Sequence, residues 1–290
     1  MSLLYAELTD RTVLALHGQE ARTWLQGLVT NHVADLAPGA LVHTALLTPQ
    51  GRLLADFFVL GETDGLRIDV ETSLADLVET RLSLYRLRAA IRFARTPDRV
   101  LAAFGGTEAR LPFLVDPRSA ELGFRAYLGE GDAALPLTAS ARDYRDFRRG
   151  LGIAETAADG LGDKVYPVEA NFDLLHGIDF SKGCFVGQET TSRMKRRGTV
   201  KSRILPFQCQ AAPDAGDRDV LWGEVRVGEA LVSEGGRGLA LMRLDRLQEA
   251  QAAAADLTLA GHAVAVSRPD WMAVSMPNSP GAPQELRRLL

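Results

Sequence analysis

Cysteine is nearly absent from this 290-residue chain, which carries two, Cys184 and Cys209. Two thiols exclude a disulfide-stapled scaffold and are too few for a four-thiolate iron–sulfur cluster or a structural zinc site. The five histidines, His17, His32, His43, His176 and His262, are scattered, so no bound metal is expected in the monomer. Long apolar runs are also missing: Arg, Asp, Glu or Gly interrupts every candidate before the roughly 18 residues that a bilayer span requires. No membrane association is therefore expected. Excess positive charge is lacking too, since 33 basic residues face 37 acidic ones. A net charge of −4 gives no general attraction to polyanions, and direct contact with nucleic acid is not expected. The opening MSLLYAELTD has neither a basic nor an apolar targeting region. With the low cysteine count, that sets the expectation of a cytoplasmic, reducing home.

What is present is enough apolar material, 46%, for one large core or several smaller ones. Thr12 to Leu16 reads as a strand, followed by a turn at Gly18 and a helical pattern through Trp24, Leu25 and Leu28. Leu41–Leu47 and Leu53–Leu60 form a hairpin pattern around Pro49, Gln50 and Gly51. Leu66–Val70 supplies a third strand. Leu74, Leu77, Val78, Leu82 and Tyr85 then recur at helical spacing, with Ser73 as the expected N-cap and Asp76 three residues on. Ala90–Ala94 returns to strand, and Thr96–Ser140, rich in proline and glycine, reads as a crossing between domains. A second helix begins at Ser140 with Asp143 as capping carboxylate. Beyond Gly198, short strands separated by glycines predict a small β-barrel or sandwich, with Gln251–Ala255 as a short helix or linker and a frayed tail from Pro277. The fold class expected is α+β. Its divisions are residues 1–40 with 137–197 as a discontinuous first domain, 41–136 as a second, 198–275 as a C-terminal β-barrel and 276–290 as the tail.

The most informative segment is FSKGCFVGQETTSRMKRR, Phe180 to Arg197. Gly183 and Gly187 give backbone freedom on either side of Cys184, and the chain from Gly187 onward reads as a helix start. A thiol near a helix N-terminus and near Lys182 gains thiolate character, which suits redox or ligating chemistry. A small apolar residue packed under the loop is the other reading, and the one that Cys209 keeps. Lys182, Gln188 and Glu189 offer donor, amide and carboxylate chemistry that either holds a ligand or fixes the loop. The cluster of Arg193, Lys195, Arg196 and Arg197 is either a solvated face or an anion contact.

Lys182 to Glu189, KGCFVGQE, resembles the signature of the YgfZ-type folate-binding proteins, relatives of the glycine-cleavage T-protein. WLQGLVTN (Trp24 to Asn31), TPQGRLLADFF (Thr48 to Phe58), YRLRAAI (Tyr85 to Ile91) and VEANFDLL (Val168 to Leu175) are similar to the same family, in order. The resemblance implies a multidomain T-protein-like fold and tetrahydrofolate or a derivative as cofactor. It also implies a role in assembly or repair of iron–sulfur enzymes, tRNA-thiolating ones included, with those enzymes or cluster-assembly proteins as partners. It places Cys184 as the functional thiol and Lys182, Gly183, Phe185, Gly187, Gln188 and Glu189 at the cofactor. Arg148 matches a folate-tail arginine of the T-proteins, Asp69 stands opposite an asparagine, and Asp76 lies opposite their catalytic acid, although capping explains Asp76 equally. The alternatives are a folate-dependent aminomethyl or one-carbon transferase and a non-enzymatic, folate-stabilised scaffold.

Overall fold

A computed structural model describes residues 2–109, 112–133, 135–198, 200–210 and 216–275. In chain order its elements are β1 (Leu4–Glu7), β2 (Arg11–His17), α1 (Ala21–Gln26), β3 (Leu41–Leu47), β4 (Leu53–Glu62), β5 (Gly65–Glu71), α2 (Thr72–Arg86), β6 (Arg92–Thr96), β7 (Arg99–Phe104), β8 (Leu114–Val115) and β9 (Phe124–Leu128). There follow α3 (Ala141–Gly150), α4 (Gln188–Arg197), β10 (Ser202–Cys209), β11 (Asp219–Trp222), β12 (Val225–Glu234), β13 (Arg237–Arg243), α5 (Leu244–Ala252), β14 (Leu257–Leu259), β15 (His262–Val266) and α6 (Asp270–Ser275). The α+β class stands. No helix among the described residues is long and apolar enough to cross a membrane.

Three sheets organise the chain. The first has the antiparallel order β3-β4-β5-β2-β6, and its alternating apolar residues Leu14, Leu16, Phe57, Val59, Leu66 and Ile68 are buried against α1 and α2. Alternation of this kind is what a sheet with one face on a core dictates. The hairpin of β3 and β4 pairs Thr44 with Phe57, in line with the sequence pattern. Strand β2 pairs with both β5 and β6, so the boundary expected at residue 40 runs through this sheet. Correction of that boundary follows from long-range pairing, which local patterns do not report. The second sheet, β1-β7-β9-β8, occupies most of the segment expected to be a crossing. Its strands are short, and β8 has only two residues, too few to show a period.

The third sheet is the closed barrel β10-β13-β12-β11-β14-β15, which bears out the expected C-terminal barrel. Strand β12 runs unbroken through Gly228, where a strand-separating glycine would be expected, with a bulge at Ala230 to Val232. A Cβ at Gly228 would meet the Met242 sulfur at 2.3 Å, so this glycine marks close packing and not a turn. The alanine-rich run does not start a helix: α5 begins at Leu244 and ends at Ala252. The tail expected beyond residue 275 lies outside the described residues. Helix α2 also departs from expectation, because it begins at Thr72 with Glu71 in the N-cap position and Ser73 already inside the first turn. The expected cap at Ser140 is present as a reciprocal capping box with Asp143.

Candidate functional site

The KGCFVGQE segment is a loop laid over the end of α1 and over the β3–β4 turn. Asp179 begins it: its carboxylate accepts from Ser181 N–H at 2.7 Å and Oγ at 2.6 Å, and the Ser181 hydroxyl holds that carboxyl below its usual range. Lys182 then turns inward. Its Nζ donates to the backbone carbonyls of Gln26 at 2.5 Å, Asn31 at 2.9 Å, and Val29. These are carbonyls that a helix C-terminus and the turn after it leave without partners, and a compact ammonium supplies three donors to them. Burial lowers the Lys182 pKa to about 8 against the opposing charge of Asp179. Lys182 is thereby fixed to backbone, and its ammonium is not free for the thiol or for a ligand tail.

Phe185 is buried under the loop, its N–H donating to Gln188 Oε1 at 3.2 Å and its ring centroid 5.2 Å from Lys182 Nζ. Gly187 has φ +80°, and a Cβ there would lie 2.5 Å from the Thr48 carbonyl oxygen. Only glycine fits a left-handed position pressed that closely on neighbouring backbone. Thr190 in the first turn of α4 donates to the Gln50 carbonyl at 3.0 Å. Glu189 is exposed and pairs with Arg193 one turn on. Lys195 stands 4.9 Å from the Phe180 ring centroid. Gly183, at φ +94° with open space around its Cβ direction, turns the chain outward, and Cys184 is left as an exposed free thiol. Cys209 is half-buried at the end of β10. Lys182, Phe185, Gly187 and Gln188 thus build the loop, and Cys184 is what the loop presents.

Arg148 and Asp76 are not brought to this loop or to each other. Arg148 is buried on α3, where its Nη1 donates to Asp159 at 2.7 Å and to the Ile153 carbonyl at 2.5 Å and its Nε lies 3.5 Å from Glu155. Asp76 sits on α2 with its side chain 90% exposed and its partner is Arg95. A tail-binding arginine enclosed by carboxylates of its own chain and an acid on an open helix face do not form a folate cradle. The residues present do not fit the cofactor as expected.

Arg148 belongs instead to a buried ionic cluster that the motifs did not disclose. Asp69 on β5 accepts from Arg11 Nε at 2.6 Å, Arg125 Nη1 at 2.8 Å and Tyr127 Oη at 3.0 Å. Arg118 binds Asp116 through Nε at 3.0 Å and Nη2 at 2.8 Å, Glu155 through Nη1 at 2.7 Å, and Tyr144 Oη at 3.1 Å. The Phe58 ring lies among them, 4.0, 4.8 and 5.6 Å from the guanidinium carbons of Arg125, Arg118 and Arg11. Burial alone would raise Glu155, but the arginines 148, 118 and 11 hold it well below the usual carboxylate range. The cluster joins the first two sheets to α3 and to the turns at 153–160. The separate arginines and acids are legible in sequence, but their convergence is not.

Glu71 gives this cluster a pH signature. Its carboxylate accepts from Ala157 N–H and Ala158 N–H, each at 2.7 Å. Burial, then the charges of Glu155 and Asp56, raise its pKa from 4.5 to about 7. A carboxyl whose folded pKa is raised favours folding most below the unfolded pKa, and that contribution is lost as pH rises from 4.5 through 7. The loss amounts to about 2 to 3 kcal/mol. Buried His43, whose pKa burial lowers, acts with the opposite sign below its unfolded value of 6.5, because the unfolded chain takes up the proton. Urea unfolding of wild type and Glu71→Gln at pH 5 and pH 8 separates the two: wild type is expected to lose about 2 kcal/mol relative to the variant on going to pH 8.

Two cavities flank the loop on either side. One of about 260 Å³ lies between the end of α2 and the loop; its lining includes Leu28, Gln50, Arg81, Tyr85, Asp163 and Val186. The other, about 320 Å³ and more open, involves Asn31, His176, Ile178 and Phe180. Neither reaches Arg148 or Asp76. No group of three or more His, Cys, Asp or Glu residues is placed to hold a metal ion among the described residues.

Comparison with known proteins adds to this geometry. Residues 201–274 match the profile of the CAF17 C-terminal beta-barrel domain, which is the barrel of β10 to β15. The chain is 33% identical over 232 residues to a protein of Pyricularia oryzae named iron–sulfur cluster assembly factor IBA57 homolog, mitochondrial, covering 72% of this chain and 59% of that protein. A Mycosarcoma maydis protein of the same name is 31% identical, with 74% of this chain and 60% of the relative covered. The Homo sapiens protein named iron–sulfur cluster assembly factor IBA57, mitochondrial, is 28% identical, with 91% and 84% covered. The chain thus spans about three fifths of the two fungal relatives and most of the human one. Glycine cleavage system aminomethyltransferase T from Bartonella henselae shares the fold, with a TM-score of 0.65 and 12% identity, over 93% of this chain and 86% of that one. The T-protein-like fold expected from the motifs is therefore the fold present. The relatives' names overturn the expected cytoplasmic location, since they are mitochondrial proteins. A low cysteine count separates oxidising from reducing surroundings and resolves nothing finer.

Proposed function

We propose that this chain is an iron–sulfur cluster assembly factor, of the class to which its IBA57-named relatives belong, and that Cys184 is its working thiol. The relatives carry the name IBA57, so the kinship rests on the class and not on the YgfZ name. The observation that carries the reading to a residue is the division of labour in the loop. Lys182, Phe185, Gly187 and Gln188 are all engaged in holding it, and the thiol alone stands free at its surface. An exposed thiol on a braced loop suits transient ligation of iron, where the thiolate is the ligand.

A single cysteine cannot complete the ligand set of a cluster, for which four protein ligands are typical. Cys209 is on the barrel and half-buried. A cluster engaged through Cys184 therefore takes its other ligands from a partner, and the chain acts at a handover and not as a store. Its proposed partners are cluster-assembly proteins or iron–sulfur enzymes. Because Arg148 and Asp76 do not converge, the proposal takes no step through folate and assigns no aminomethyl transfer.

The test is complementation of a strain lacking the gene, read as the activity of its iron–sulfur enzymes. Wild type and Cys209→Ser are expected to restore that activity, and Cys184→Ser to leave it at the level of the deletion. Full restoration by Cys184→Ser would remove the thiol from the mechanism. Normal iron–sulfur enzyme activity in the deletion strain itself would remove the assembly role.

A further inference from the structure

The last turn of α2 presents apolar side chains to solvent where a stable helix end needs none. Leu84 is 63% exposed, Tyr85 41% and Leu87 89%. Leu87 has φ +44°, in the position just past the helix that glycine usually takes. A branched residue held at positive φ and turned almost entirely into water is unfavourable on both counts. Folding therefore gives no reason for it. Arg81 lies one turn earlier and Arg86 and Arg88 flank Leu87, all exposed and without an acidic partner among the described residues. Tyr85 and Arg81 also line the 260 Å³ cavity, together with Asp163 and Val186 of the cysteine loop.

From this we infer that the α2 terminus and the cavity beside it form the docking site for a folded protein partner that presents a protruding apolar side chain within an acidic rim. The inference rests on the assembly-factor reading and names the chemistry of the partner. Charge complementarity fixes the sign of the rim: three arginines without an acidic partner among the described residues, against the one carboxylate of Asp163 in the cavity wall, repel a basic surface and attract a carboxylate-rich one. Concavity fixes the centre, because a cavity of this size takes a single Leu or Phe side chain as an anchor, in the manner of interface hot spots. A flat anionic lipid surface would meet the arginines and Leu87 but leaves the cavity unfilled. Val186 is two residues from Cys184, so a partner seated here brings its own ligands next to the exposed thiol.

The experiment uses the full chain with Leu84→Asp and Leu87→Asp together, and separately with Arg86→Glu and Arg88→Glu together, in the same deletion strain. All four side chains are exposed, so both variants are expected to unfold within about 2 °C of wild type. Iron–sulfur enzyme activity is expected to fall at least tenfold in both, with the Cys184 thiol in the purified variants reacting with a maleimide at the wild-type rate. A photo-crosslinking phenylalanine analogue in place of Leu87 is expected to form its adduct with a protein at an acidic, apolar-centred surface. The same analogue in place of Val225, on the barrel, is expected to give none. Full activity in both variants while Cys184→Ser is inactive overturns the docking site and spares the thiol. An adduct between two copies of this chain assigns the face to self-association and overturns the proposal. So does flotation of the protein with phosphatidylserine-containing vesicles that is lost in the arginine variant.

Discussion

Arg118→Ala is expected to destabilise the protein by about 3 to 5 kcal/mol, the range for removing one partner of a buried ion pair. Against a typical total of about 5 to 15 kcal/mol, that removes from about a fifth to all of the folding free energy. The reason lies in what remains. Arg118 gives two hydrogen bonds to Asp116 and one to Glu155, and both carboxylates are buried. Without the guanidinium, each is a charge in a poorly solvated interior with fewer counter-ions. Arg118→Met restores most of the volume but not the charge, so it is expected to be nearly as damaging as alanine. The dependence on pH distinguishes this from loss of packing. Burial would raise Asp116, but Arg118 holds it below its usual value in the wild type, so wild type gains stability from it above the unfolded pKa and loses that gain as pH falls. In the variant the carboxyls are released upward and protonate sooner. The deficit relative to wild type is therefore expected to shrink from pH 7 to pH 4.5. Denaturant titration of the three proteins at both pH values measures it, and a deficit that does not change with pH would mark a packing effect instead.

That cluster is also where sequence reading reached its limit. The hairpin of β3 and β4, the Ser140 capping box and the closing barrel were legible because each is decided by residues close in sequence: alternation, a turn and a cap spaced three apart. The loop was legible for a related reason, since KGCFVGQE is continuous and its two glycines sit where backbone approaches backbone. Arg11, Asp69, Arg118, Arg125 and Glu155 are separated by up to 144 positions, and nothing local tells a buried arginine from a solvated one. The same blindness accounts for Arg148. Its match to a folate-tail arginine concerned identity at a position, whereas its partners Asp159 and Glu155 come from the turn after its own helix. The capping role for Asp76 depends on Ser73 starting α2, whereas its catalytic role is implied only by the resemblance to the T-proteins. The helix starts before Ser73, at Thr72, with Glu71 in the N-cap position and its carboxylate accepting from Ala157 and Ala158 N–H instead of capping.

The two structures built from these residues serve different ends. The ionic cluster ties β5 and β9 to the turns after α3, setting the sheets and α3 relative to one another. The loop is tied to α1, to the β3–β4 turn and to α4, and its Phe185 also packs with Ile204 and Leu239 of the barrel. A partner at the α2 terminus would meet that loop at Val186. Docking surface and thiol thus lie on neighbouring elements, with the barrel packed beneath the loop through the cluster that Phe185 joins.

Lys182→Met tests whether the brace under the thiol matters as much as the thiol. Hydrogen bonds from charged groups contribute about 1.5 to 3 kcal/mol each and are not additive, so loss of three donors around one ammonium is expected to weaken the loop by about 2 to 4 kcal/mol. An exposed loop can open by itself at less cost than the whole domain. The expected result is therefore local. Amide exchange at residues 183–188 and at 26–31 is expected to accelerate by one to two orders of magnitude or more, while the global unfolding midpoint moves only a few degrees. Cys184 remains present and accessible, yet complementation is expected to fail, because the thiol is no longer held at a fixed place beside Val186. Lys182→Arg keeps the charge but not the compact set of three converging donors, and is expected to recover part of the protection and part of the activity. Cys184→Ser forms the contrasting case, with loop protection intact and activity lost. If Lys182→Met loosened the loop and still complemented fully, the thiol would act without being positioned, and the brace beneath it would have no part in handing over the cluster.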